Sequence, residues 1–127
     1  MKGNAAIWQS SLAAKSVGQL GREGEAVANQ ITGVGKNTES WVINGRTRIP
    51  DQIGAQDIVT RNPTIVNEVK NVQYQSFSQQ LRDYRDLVGP GGRVNVMLPP
   101  GARVSGPLQR AFNNPLNPLK RVDLVSP

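Results

Sequence analysis

Apolar residues at helical spacing predict two longer helices in this chain. The first is expected from about residue 17 to residue 31, and its apolar line includes Leu20, Val27 and Ile31, with Gly24 on the same line. Ser76 is expected to cap the second helix, which should end near residue 88. Its buried line, at i, i+4, i+7 and i+11, consists of Phe77, Leu81, Tyr84 and Val88. A shorter helix is predicted after Ser105 or Gly106.

Strand-like runs lie between and after these helices. "WVING" and "RTRIPD" should form a hairpin around Asn44-Gly45, which is a strong turn dipeptide. The further strands are predicted at "QDIVT" (56–60), "IVNEVKNV" (65–72), "RVNVML" (93–98) and, as a possible edge strand, "KRVDLV" (120–125). The order αβββαβ followed by αβ indicates an α/β fold with a central mixed β-sheet flanked by helices. Residues 46–50 and 64–70 are expected to be adjacent strands of that sheet.

The length of 127 residues fits one domain. Residues 1–16 have the character of a linker or a frayed helix, so the domain is expected at 17–127. No apolar run approaches the roughly 18 residues of a membrane span. The N-terminus lacks a signal-peptide pattern, so we expect any export to be arranged by something outside this chain.

The charge of the chain favours phosphate-bearing partners. The net charge is +6, with ten arginines and five lysines, although a basic protein without a polyanion partner has the same composition. The candidate contacts to a nucleic-acid backbone are Arg46, Arg48, Arg82, Arg85 and Arg93. The acids interpreted as surface residues are Asp57, Asp83 and Asp86. Trp8 and Trp41 are more typical of core or anchor positions than of base-stacking platforms.

The absence of cysteine and histidine removes several chemistries. Without Cys there is no disulfide, zinc–thiolate site or thiol nucleophile, and without His there is no Ser-His-Asp triad or paired-histidine ribonuclease. Any catalysis must therefore use carboxylates, amines, hydroxyls or a hard metal ion, and carboxylate oxygens suit Mg²⁺ or Mn²⁺.

One strand-like run contains a charged pair. Glu68 and Lys70 are two residues apart in "IVNEVKN", so on a strand they point to the same face. Charges in an apolar run are costly unless they are paired or bind a metal. The pair is either a solvated, inert couple at a strand end or part of a site that a third group completes.

Asp51 supplies that third group through a recognisable spacing. Pro50-Asp51, sixteen intervening residues and then Glu68-Val69-Lys70 resemble the PD-(D/E)XK phosphodiesterase superfamily. The closer resemblance is to restriction-fold toxin domains at the C-termini of bacterial polymorphic toxins, such as contact-dependent inhibition and Rhs proteins. Its landmarks are "GREGE", "RIPD", "NEVKNV" and "SFSQQLRDY", in that order. The resemblance implies a three-layer restriction-endonuclease-like fold.

The same resemblance implies roles for individual residues. Asp51, Glu68 and the carbonyl of Val69 would bind Mg²⁺ or Mn²⁺, which activates water, and Lys70 would orient that water and stabilise negative charge. A helix acid often completes such a site. The spacing from Gly21 favours Glu25, whereas the helical wheel leaves Glu23 as a rival. Gln80 flanks the buried line of the second helix and can reach the site.

The implied function is a metal-dependent nuclease toxin that cuts DNA or tRNA in a competing bacterium. It would be exported as part of a larger effector, act in the target-cell cytoplasm and be blocked by an immunity protein, which would be acidic. Two alternatives stay open: a metal-independent ribonuclease that uses Lys70 and an acid, and a non-catalytic basic module that binds nucleic acid.

Overall fold

The computed structural model describes residues 16–125, and the side chain of residue 17 is not described. The predicted N-terminal segment at 1–16 therefore lies, apart from Ser16, outside the described residues, as does Trp8. Within the described part, the helices are α1 (Val17–Thr32), α2 (Gln79–Val88) and α3 (Gly106–Asn113). The strands are β1 (Trp41–Ile43), β2 (Arg46–Arg48), β3 (Gln52–Gln56), β4 (Pro63–Val69), β5 (Tyr74–Gln75), β6 (Arg93–Leu98), β7 (Arg103–Val104) and β8 (Leu119–Asp123).

Four strands form the central sheet in the order β3-β4-β6-β8. The β3–β4 pair is antiparallel, whereas β4–β6 and β6–β8 are parallel, so the sheet is mixed as predicted. β1–β2 and β5–β7 form two small separate sheets. The edge position predicted for the last strand is confirmed by β8.

The side chains of β6 point alternately to the two faces of the sheet and belong to two apolar clusters. Val94, Val96 and Leu98 belong to the larger apolar cluster, which includes residues of α2 and α3. Met97 points to the opposite face and packs with Ala28 of α1 and with Leu124. The sheet is thus covered by α2 and α3 on one face and by α1 on the other, which confirms the three-layer α/β fold. None of the described helices is long and apolar enough to cross a membrane.

Serine side chains begin the helices. Ser16, Ser78 and Ser105 each accept a hydrogen bond from a backbone N–H of the first turn. The prediction that Ser76 caps the second helix is wrong, because Ser78 does so. The residue between the two serines, Phe77, makes a contact that the local sequence does not encode. Its backbone N–H donates a hydrogen bond to Ser105 Oγ at 3.2 Å.

Two strand predictions need correction. Of the "QDIVT" segment, Gln56 is the last residue of β3 and residues 57–60 turn, because Asp57 Oδ1 accepts hydrogen bonds from the backbone N–H groups of Val59 and Thr60, both at 2.8 Å. The strand that pairs with β4 is β3 (Gln52–Gln56), and not residues 46–50 as predicted. The hairpin turn itself is confirmed, with positive φ at Asn44 (53°) and Gly45 (76°).

Candidate active site

Asp51 and Glu68 meet at one end of the β3–β4 pair. Gln52 is paired with Asn67, so Asp51, directly before β3, lies beside Glu68 on β4. The backbone N–H of Asp51 donates to Glu68 Oε1 at 3.2 Å, and the backbone N–H of Val69 donates to Asp51 Oδ2 at 2.8 Å. The two acids are therefore held together by backbone hydrogen bonds, although 16 residues separate them in sequence.

Lys70 joins this pair from the α2 side of the sheet. Its ammonium lies 3.4 Å from Glu68 Oε2 and donates a hydrogen bond to Gln80 Oε1. The amide of Gln80 also lies 3.5 Å from the hydroxyl of the fully buried Tyr84. Gln80, which was predicted from its place on the flank of the second helix, is thus in contact with Lys70. Tyr84, which was predicted only as a core residue, is a polar neighbour of Gln80.

The surroundings of this cluster raise the pKa values of Glu68 and Tyr84. Glu68 is only 3% exposed. Burial, and then the nearby Asp51 charge, raise the pKa of Glu68 to about 8, although Lys70 acts in the opposite sense. Burial and the same two acids also raise the pKa of Tyr84, so its hydroxyl stays protonated at neutral pH. Ionised Glu68 would lie buried beside a second carboxylate with Lys70 as its ammonium partner, and a bound cation would favour that charged form.

A cleft of about 200 Å³ opens beside Asp51 on the α1 side. Its walls are formed by Glu25, Ala26, Asn29, Lys36, Asp51, Gln52 and Val69. The structure brings Glu25 into the same cleft as Asp51, whereas Glu23 is not among the residues of this cleft. The sequence reading missed Lys36 and Asn29, and the loop that carries Lys36 offers no periodic signal that could have identified it.

The donor set fits a hard divalent ion with two carboxylates. Asp51 and Glu68 would be its ligands, with the Val69 carbonyl as a third oxygen, and a cation would relieve the repulsion that raises the pKa of Glu68. Among residues 16–125, no three side chains of the Asp, Glu, His or Cys type lie close enough to hold one ion. Glu25 therefore lines the cleft without forming a three-carboxylate cluster.

One surface acid was predicted wrongly. Asp83 has 0% side-chain exposure and accepts hydrogen bonds from Arg46, Arg48, Asn44 and Gln79. These contacts lower the pKa of Asp83 well below its usual range, with the Arg46 hydrogen bond as the largest cause. Arg46 and Arg48, proposed from sequence as backbone contacts, thus attach the β1–β2 hairpin to α2.

The other predicted surface groups differ in how freely they reach solvent. Asp57 and Asp86 are exposed, as expected. Arg82 lies over the ring of Phe77, 3.9 Å from its centroid, and Arg93 is bonded to Asn95. Trp41 is half-buried in β1.

Comparison with known proteins identifies one family. No curated protein and no solved structure gives a significant match to the chain. The model of one family, described as restriction endonuclease fold toxin 7, matches residues 21–107, which include Glu25, Asp51, Glu68, Lys70 and Gln80. Because this match spans more than half of the chain, the protein belongs to the restriction endonuclease fold toxin 7 family.

Proposed function

We propose that this domain is a metal-dependent nuclease toxin that hydrolyses phosphodiester bonds of DNA or tRNA in competing bacteria. The observation that carries the proposal is the Asp51–Glu68–Lys70 cluster, in which a buried carboxylate with a pKa near 8 lies 3.4 Å from an ammonium group. Perturbed charges of this kind at the edge of a cleft are typical of catalytic sites. Family membership supports nuclease chemistry independently.

The residues divide the work as follows. Asp51 and Glu68 would hold Mg²⁺ or Mn²⁺ with the carbonyl of Val69, whereas Glu25 lines the cleft beside Asp51 without lying close enough to complete a set of three carboxylates around one ion. Restriction-fold nucleases typically use divalent metals, and the ion supplies Lewis-acid polarisation of the scissile phosphate. Lys70 stabilises the negative charge that develops on the phosphate, and Gln80 holds the Lys70 ammonium in position.

The wider biology follows from charge and family. With a net charge of +6, the domain would bind nucleic acid electrostatically, and an acidic immunity protein that covers the site would neutralise it in the producing cell. Delivery would occur as part of a larger exported effector, with action in the cytoplasm of the target cell.

A metal-independent ribonuclease is the second candidate. A carboxyl group with a pKa near 8 can donate or accept a proton around neutral pH, and Lys70 lies beside it. The described residues also contain no cluster of three acids. In this alternative Glu68 exchanges protons with the reacting 2′-hydroxyl or leaving group, and Lys70 stabilises the phosphate.

The decisive experiment is cleavage of plasmid DNA and total tRNA by wild type and Lys70→Ala, with Mg²⁺, with Mn²⁺ and with EDTA. We expect EDTA to abolish activity, added metal to restore it, and Lys70→Ala to lower the rate by roughly 10²–10³-fold. Lys120→Ala is the matched control, because the Lys120 ammonium donates a hydrogen bond to the Asn114 carbonyl, at 3.0 Å, and lies on β8, which β6 separates from β4.

Each alternative gives a different result in the same experiment. Full wild-type activity in EDTA on tRNA would favour the metal-independent ribonuclease. Binding of both nucleic acids without cleavage under every condition would favour the non-catalytic module.

A further inference from the structure

The loop between α1 and β1 is tied to the residues around Asp51 at two points. At its start, the Thr32 hydroxyl donates to Gln52 Oε1 at 2.8 Å, and Gln52 is buried directly after Asp51. At its middle, the backbone N–H of Asn37 donates to the Asp51 carbonyl oxygen at 2.8 Å. The loop segment 33–37 is therefore fixed at both ends to the neighbouring residues Asp51 and Gln52.

The Asn37 side chain strengthens the second attachment. Its Nδ2 donates to the carbonyl oxygens of Pro50, at 2.9 Å, and Glu39, at 2.7 Å. Its Oδ1 accepts a hydrogen bond from the Glu39 backbone N–H at 3.0 Å. An asparagine that uses its donors and its acceptor on backbone groups holds a loop in one conformation.

Lys36 lies between these two attachments and lines the cleft with Asp51 and Glu25. Within residues 16–125, its ammonium forms no ion pair with a carboxylate. The other lysine of the site differs, because Lys70 is bound to Glu68 and Gln80. Lys36 is thus the cation of the cleft that is available to an incoming anion.

The acidic residues of the cleft suggest an electrostatic role for Lys36. A phosphodiester strand that approaches Asp51 also meets Glu25, and both carboxylates repel it. A lysine on a fixed loop offsets that repulsion and acts on a phosphate as a point charge. The fixed loop backbone lowers the backbone part of the ordering cost of this contact, and the exposed Lys36 side chain still loses rotamer freedom on binding.

We propose that Lys36 is a substrate-binding residue that contacts a phosphate adjoining the scissile one, and that the Asn37 attachment positions it. The inference rests on the proposed nuclease function, and it deepens that function by assigning a second phosphate subsite on the α1 side of Asp51. Lys70 serves the reacting phosphate from the α2 side, so the strand would cross the end of the β3–β4 pair from one helix layer to the other.

The test compares Lys36→Ala, Lys36→Arg and Lys120→Ala, with Lys120→Ala as the control for the loss of one positive charge elsewhere. Lys36→Ala should raise KM and leave kcat nearly unchanged, because the contact holds the strand equally before and during reaction. The dependence of log K for binding on log salt should become shallower by about 0.9 for duplex DNA or about 0.7 for a single strand. Lys36→Arg should restore most of the affinity, and Lys120→Ala should behave as wild type.

A fourth variant distinguishes the effect of positioning the Lys36 ammonium from the effect of its positive charge. Asn37→Ala keeps the Lys36 ammonium but removes the side-chain attachments to Pro50 and Glu39. We expect a raised KM with an unchanged salt slope, because the lysine still contacts phosphate but must be ordered on binding. Circular dichroism and thermal unfolding of each variant check that the fold is retained.

Binding measured by fluorescence anisotropy in EDTA keeps this inference distinct from the proposed chemistry. If wild type cleaves nucleic acid and Lys36→Ala has the same KM and the same salt slope as Lys120→Ala, the Lys36 subsite is refuted while the nuclease stands. If wild type never cleaves but Lys36→Ala lowers oligonucleotide affinity and salt slope, the nuclease function fails while the phosphate contact stands. If wild type binds no nucleic acid, both are wrong.

Discussion

Glu68, at the end of β4, and Asp83, in α2, are both buried carboxylates, with exposures of 3% and 0%. Asp83 accepts hydrogen bonds from two guanidinium groups and two side-chain amides. Glu68 has one ammonium at 3.4 Å, one backbone N–H and a second carboxylate close by. The two side chains are similarly inaccessible to solvent, but the groups that compensate their negative charge differ.

The pKa values of the two groups move in opposite directions for that reason. The Arg46 hydrogen bond, aided by Asn44, Gln79 and Arg48, outweighs burial and lowers the pKa of Asp83. At Glu68 burial and Asp51 outweigh Lys70, and the pKa rises to about 8. A fully compensated buried charge serves to attach one element to another, whereas an undercompensated one is available to a ligand.

The largest expected effect is the difference in cleavage rate between the variants that neutralise Glu68 and Asp83. Glu68→Gln should lower cleavage by at least about 10³-fold, because it removes a charged side chain proposed to hold the metal ion, and such an ion supplies several kcal/mol of transition-state stabilisation. Asp83→Asn should lower it less than about tenfold, since Asp83 contacts only the hairpin and α2. Single-turnover rates at low temperature, where both variants are folded, make the comparison. Similar losses in the two variants would show that Asp83 belongs to the catalytic machinery.

The pH dependence of stability should differ in sign between the two acids in metal-free protein. The folded-state pKa of Glu68, about 8, exceeds its ordinary value of 4.5, so its contribution to the free energy of unfolding is full below pH 4.5 and is lost as pH rises to about 8. The slope is roughly 1.4 kcal/mol per pH unit. The pKa of Asp83 lies below its ordinary 3.8, so its contribution is present above that pH and is lost as the solution becomes more acidic.

Urea unfolding in EDTA between pH 3 and pH 9 measures both effects. Glu68→Gln should flatten the curve between pH 5 and pH 8 and be more stable than wild type at pH 9, and added Mg²⁺ should reduce that advantage. Asp83→Asn should be less stable than wild type at pH 7 and approach it at acidic pH. Parallel curves for Glu68→Gln and wild type across the neutral range would mean that Glu68 is compensated as fully as Asp83.

The smallest effect concerns the scaffold behind the site. A Cβ at Gly24 would lie 2.8 Å from Asn71 Cβ and 3.1 Å from Val69 Cγ1, whereas one at Gly21 would meet nothing within 4 Å. Gly24→Ala should therefore lower the free energy of unfolding by roughly 1–3 kcal/mol and displace α1, with Glu25, from the cleft. Gly21→Ala should raise it by up to about 1 kcal/mol through helix propensity. Equal stability of the two variants would show that α1 does not pack closely on β4.

The structure brings Asp51, Glu68 and Lys70 together, and part of that arrangement follows from local sequence information. The two-residue spacing of Glu68 and Lys70 puts them on one face of β4, and Asn44-Gly45 makes a hairpin turn in any context. The Pro50-Asp51 dipeptide was recognised by its resemblance, and the register of Gln52 with Asn67 brings Asp51 to Glu68. The roles assigned to these residues stay predictions that the variants above test.

Apart from the turn that Asp57 makes with Val59 and Thr60, the failures involve partners that are distant along the chain. Asp83 lies between two buried residues of α2, yet nothing in the helix indicates that Arg46 and Arg48, 37 and 35 residues earlier, would surround it. The β5–β7 pair consists of two short segments, too brief for a periodic pattern. Lys36 lies in a loop whose position depends on Asn37 contacts with Pro50 and Asp51.

The sequence by itself determined the three helices, the hairpin turn and the strand-forming runs of β1, β2, β4, β6 and β8, because periodicity and turn chemistry depend on neighbouring residues. Only the tertiary structure decided which buried carboxylate is compensated. Both side chains are almost inaccessible to solvent, and the charges that offset their burial come from other elements. The β1–β2 hairpin brings two arginines to Asp83, whereas the β3–β4 register brings a second acid to Glu68, and that difference separates an attachment point from a candidate active site.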